Sequence, residues 1–109
     1  MIAPLLLAAA LAVPTPVNDE QGDVEPDQIV MAIAHLGAYR SLCRGRTPLN
    51  PVQLMLLRML YTGLDPVAVA EGDQEALEVV RRVREADEVE DYCTRLEPVV
   101  QDINKGPFR

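Results

Sequence analysis

Residues 26–44, PDQIVMAIAHLGAYRSLCR, carry the reading that decides the fold. Ile29, Ile33, Leu36, Tyr39 and Cys43 recur at steps of 4, 3, 3 and 4. That period puts all five on one face of a helix. Pro26 and Asp27 open the segment, where a fixed φ and a negative charge are welcome. Arg40 and Arg44 lie in the last turn, against the negative end of the helix dipole. Gly45 is placed to follow the cap.

A second cysteine stands on a second stripe. Val79, Val83, Ala86, Val89, Cys93 and Leu96 step by 4, 3, 3, 4 and 3, predicting one long helix that starts near Asp73. Its outer side carries the opposite-charge pairs Glu78/Arg82, Arg81/Glu85, Arg84/Glu88 and Asp91/Arg95 at i,i+4, the mark of a solvated face. Pro98 is expected to break or kink it, leaving Val99, Val100 and Ile103 as a short last turn. Between the two stripes lies NPVQLMLLRMLYTG, residues 50–63. Asn50 reads as N-cap, Pro51 as N1, Gln53 as the N3 residue of a capping box, and Gly63 as the stop. Residues 51–62 hold a single charge, Arg58. A helix apolar almost all round is central to a bundle or covered by another chain. Leu64-Asp65-Pro66-Val67 starts one short extra turn ending at Gly72. No stretch alternates with the strand period. The expected fold is all-α: a small bundle of three main helices plus short terminal helical turns, stapled by one disulfide.

The staple follows from position. Cys43 and Cys93 each lie on the apolar stripe of a long helix, so both point into the same core. Closing that loop stabilises a small domain by about 4 kcal/mol in the chain-entropy model. The alternative is two separate buried thiols, the expectation for a reducing compartment.

The compartment is read from residues 1–12. MIAPLLLAAALA combines an apolar run with small residues before a cleavage position, and Pro14 and Pro16 then interrupt any helix. The reading is a signal peptide, with a periplasmic or secreted mature chain. If the leader is not processed, it is the one attachment to a membrane. Residues 13–25 form an acidic, disordered entry segment, 26–105 the helical domain and 106–109 a frayed tail.

Charge narrows the partners. The net charge is −7, with five acids in 19–27, four arginines and no acid in 28–64, and twelve acids against six bases from 65 onward. An acidic chain argues against nucleic acid, where phosphate neutralisation supplies most of the affinity. The Arg-bearing middle is suited to pair with the acidic back half.

No catalytic, cofactor or metal constellation is present in the sequence. His35 is the one histidine; Cys43 lies eight residues along the same helix, about 12 Å in rise and beyond hydrogen-bond reach. Arg40, Arg44 and Arg46 cluster as an anion contact or, more simply, as dipole partners of the helix end. Leu54, Met55, Leu57, Met59 and Tyr61 cover more than one face of the second helix. They are the candidate partner surface, unless that helix is plain core. In outline, an exported helical chain with one long-range disulfide resembles the small periplasmic acid-stress chaperones. The expected function is non-enzymatic binding, chaperone-like or inhibitor-like, of a protein partner through an apolar helical surface. The alternative is a structural or assembly subunit, obligately dimeric through helix 51–62.

Overall fold

A computed structural model describes residues 24–106. Four helices make up the described part: α1 (Pro26–Leu42), α2 (Pro51–Leu64), α3 (Pro66–Glu85) and α4 (Val89–Lys105). The leader and most of the acidic entry segment lie outside the described residues, as do residues 107–109. Three of the four starts follow from local chemistry. Pro26, Pro51 and Pro66 occupy first-turn positions, where the missing N–H costs nothing. At α1 the Gln28 side chain reaches back to accept from Glu25 N–H at 2.9 Å, one half of a capping box. The Asn50 side chain accepts from the Val52 and Gln53 N–H groups, and the Asp65 side chain accepts from Ala68 N–H. α4 begins instead straight out of a tight turn at Asp87.

The pillar of the bundle is α1, not the second helix. Ile29, Ala32, Ile33, Leu36, Ala34, Ala38 and Tyr39 are all buried. One side of α1 packs on Leu54, Leu57 and Tyr61 of α2 and on Ala68 and Val69 of α3, with Ile103 closing that cluster. Its other end packs on Val79, Tyr92, Cys93, Leu96 and Val100. The pairing of α1 with α3 is the most extensive in the fold. Small residues permit it: a Cβ on Gly72 would stand 2.6 Å from Ile33 Cβ, and one on Gly37 3.0 Å from Ala76 Cβ. So Gly72 does not end a short turn. It is a contact surface inside a continuous α3, where any side chain would push α1 away.

The expected long helix through residues 73–96 is two helices. Ala86 N–H and Asp87 N–H bond back to Arg82 and Arg84 carbonyls, and Glu88 N–H reaches Val83 O. The last two bonds are a Schellman cap, with Asp87 at φ 59° in the position glycine usually takes. The chain then reverses into α4. Pro98 lies inside α4 and does not end it; the expected short last turn is simply the continuation of that helix. α1 stops at Leu42, with Cys43 rather than Arg44 at its end, and α2 runs past Gly63 to Leu64. Gly106, assigned to the frayed tail, is buried against Gln53 and caps α4.

Cys43 and Cys93 are joined, with Cα atoms 5.6 Å apart. The bond ties the end of α1 to the first turns of α4.

Candidate partner-binding surface

The buried and the open faces of α2 divide its apolar residues. Leu57 and Tyr61 are fully buried, which removes these two from the expected partner surface, and Leu54, 9% exposed, stays part of it only where it lines a groove beside the helix. Their burial also answers the reading of α2 as plain core: it applies to one face only. Val52, Met55 and Met59 face outward, 55%, 54% and 62% exposed. With Thr62 they fall at steps of 3, 4 and 3, a second stripe beside the buried one.

Beside this stripe runs an open groove of about 810 Å³, lined by Leu49, Pro51, Leu54, Met55, Met59 and the flanking cations Arg40 and Arg58. Arg58 is bidentate to Asp73 of α3, at 3.0 and 3.1 Å. Arg40 is exposed and forms no ion pair among the described residues. The groove is therefore an apolar trough with one available positive charge. Methionine gives such a surface an adaptable, polarisable lining.

The three arginines expected as one anion contact are separated. Arg40 lines the groove, Arg44 is exposed at the end of α1, and Arg46 turns toward α4. Arg46 holds Glu90 at 2.8 Å, Glu97 at 3.0 Å and Thr94 Oγ1 at 3.0 Å. Thr47 Oγ1 donates to the other Glu97 oxygen at 2.6 Å, and Tyr39 Oη donates to Thr47 O at 2.6 Å. The Thr47 hydroxyl first, and Arg46 next, hold the Glu97 carboxyl below its ordinary range. Asn104 completes the clasp: its Oδ1 accepts from Asn50 N–H and its Nδ2 donates to Pro48 O. That contact takes the N–H that Gln53 was expected to cap, and Gln53 Oε1 is buried with no hydrogen-bond partner among the described residues. The α1–α2 loop, which forms one wall of the groove, is thus strapped to α4 by a disulfide and three polar side chains.

Comparison with protein families, with characterised proteins and with solved structures finds no match. The site must be read from its own chemistry.

His35 lies between α1, α3 and α4, mostly buried. Its Nδ1 is 2.7 Å from Tyr92 Oη. Burial first, then the nearby Arg82 and Arg95 charges, lower its pKa to about 4, with Glu75 acting weakly the other way. At neutral pH the ring is uncharged. The two cysteine sulfurs are bonded to each other. Among the described residues no group of three or more His, Cys, Asp or Glu side chains is placed to hold a metal ion. No described helix is long and apolar enough to cross a membrane.

Proposed function

We propose that this chain is an exported, non-enzymatic binding protein whose α2 groove takes an apolar helical segment of a protein partner. The observation that carries the reading is the outward stripe Val52, Met55 and Met59, three large apolar residues more than half exposed on a helix whose other face is already buried. An amphipathic helix laid into such a groove buries apolar area along the whole stripe, at about 25 cal/mol per Å². An acidic residue at its edge meets Arg40. The Cys43–Cys93 bond supports export, because such bonds persist in oxidising compartments. The disulfide and the Arg46–Glu97 clasp keep the groove wall in place while the partner comes and goes.

The test is a hydrophobic dye bound by native protein at pH 7 and high dilution. Wild type should enhance its fluorescence, and Met55→Glu with Met59→Glu should remove the enhancement while the unfolding free energy stays within about 0.5 kcal/mol, as for surface changes generally. A native wild-type protein that binds no dye overturns the groove.

A further inference from the structure

A second stripe, apolar except at Gln74, faces solvent on α3. Val67, Ala70, Gln74 and Leu77 fall at steps of 3, 4 and 3, the same spacing as Val52, Met55, Met59 and Thr62 on α2. Val67 and Leu77 are 66% and 71% exposed, the two most exposed large apolar side chains described. Each stripe spans about 15 Å along its helix axis. A shallow depression of about 770 Å³ runs beside the α3 stripe, and its charged lining is Glu71, Glu75 and Glu78. Glu75 pairs with Arg82 and Glu78 with Arg81. Glu71 is exposed and forms no ion pair among the described residues. Its counterpart on the α2 groove is Arg40.

The two surfaces are thus matched in period and length, each carries large exposed apolar side chains, and their free charges are opposite. Seams with this 3-4-3 spacing are what two helices use to pack side by side. We propose that the groove of one copy takes the α3 stripe of a second copy, with Arg40 facing the partner's Glu71. This rests on the groove reading above and names its occupant. One arrangement accounts for both exposed stripes, which would otherwise be two separate apolar liabilities on one small domain. A twofold axis that makes the contact twice closes a dimer; a single head-to-tail contact repeats as a chain.

Sedimentation of the full oxidised protein over a wide concentration range tests the proposal. Wild type should pass from monomer to larger species, and added salt should weaken the step, because the Arg–Glu pair is solvent-accessible. Arg40→Glu and Glu71→Arg should each raise the dissociation constant about tenfold by placing like charges together. The double variant, with the charges exchanged, should recover wild-type association, and an equimolar mixture of the two single variants should form a mixed complex. Recovery in the double variant cannot come from misfolding. Discrete dimers and growing chains both support the contact. If wild type stays monomeric while the dye still reports Met55 and Met59, the self-docking is overturned and the groove stands. If association occurs but exchanging the charges does not restore it, a different surface mediates it and the proposal fails. If dye binding is also absent, both readings fall.

Discussion

A single methyl group distinguishes two glycines of this fold. Gly72 lies where α3 crosses α1, and its added Cβ would meet Ile33 Cβ at 2.6 Å and Val30 O at 2.9 Å. Gly63 lies on the exposed last turn of α2, with nothing within 4 Å of an added Cβ. In a helix Ala is favoured over Gly by about 1 kcal/mol, so both substitutions start with the same gain. At Gly72 the backbone of α1 must then move, an overpacking cost of typically 1–3 kcal/mol. Gly72→Ala is expected to destabilise by up to about 2 kcal/mol and Gly63→Ala to stabilise by a few tenths to 1 kcal/mol. Urea unfolding of the two variants checks the opposite signs. The sequence marks both residues only as helix breakers, because the neighbour that decides between them lies some forty positions away. The cysteines were legible for the converse reason: each stripe is local, and two inward cysteines imply a meeting without knowledge of the path between them.

At the scale of elements, capping chemistry decided what was readable. Asn50-Pro51 announced α2, because the Asn50 side chain accepts from backbone N–H groups two and three residues on, and Pro26-Asp27 announced α1, because a proline and a negative charge both suit a first turn. The break between α3 and α4 carries no such announcement. No glycine or proline stands between Asp73 and Glu97, and the apolar stripe continues across the turn at helical spacing. The turn is held by Asp87 in a left-handed conformation that costs a residue with a Cβ about 1–2 kcal/mol. Arg84 and Glu88, an apparent i,i+4 pair, therefore fall on either side of a corner. Asp87→Gly is expected to stabilise by about 0.5–1 kcal/mol, the relief of that conformation less the added freedom of the unfolded chain. Leaving helix content unchanged by circular dichroism while raising the thermal midpoint would bear this out. A lower midpoint would mean that the Asp87 carboxylate contributes more than its backbone costs.

For the molecule as a whole, α4 is the helix held most by tethers, and its tethers differ in their response to acid. Apart from its packing on α1, it is fixed by the Cys43–Cys93 bond, by Glu97 and Glu90 on Arg46, and by Tyr92 on His35. Removing the covalent tether with Cys43→Ala and Cys93→Ala together should cost about 2–5 kcal/mol at neutral pH. Urea unfolding of the oxidised wild type beside the double variant measures it; equal midpoints would show that packing alone docks α4. The groove wall, Leu49 and Pro51, hangs from the same loop, so docking of α4 and the shape of the groove are one property.

The pH dependence of stability should have two phases, and charge composition predicts only the lower one. Seventeen acids against ten bases place an acid response in the carboxyl range. Glu97 and Glu78, each held below its ordinary value by hydrogen-bonded partners, contribute stability that is present above about 4.5 and lost below it. His35 adds a phase at higher pH, which rests on neighbours invisible in the sequence. Its folded pKa of about 4 lies below the unfolded value of 6.5. Between those values the unfolded chain binds a proton that the folded chain does not, so stability rises with pH. His35's contribution is therefore complete above about pH 6.5 and is lost progressively as pH falls to about 4. Allowing for the ring's partial exposure, the loss is about 1–2 kcal/mol. Protonation puts a cation beside Arg82 on α3 and Arg95 on α4, with Glu75 the one nearby compensating charge. Urea unfolding at half-unit steps from pH 7.5 to 3 should show wild type weakening from about pH 6.5 downward. His35→Gln should hold a flat profile to about pH 4.5 and then follow the same carboxylate-driven fall. If wild type is equally stable at pH 6.5 and pH 4.5, the ring is not held neutral between the helices, and the acid response belongs to the carboxylates alone.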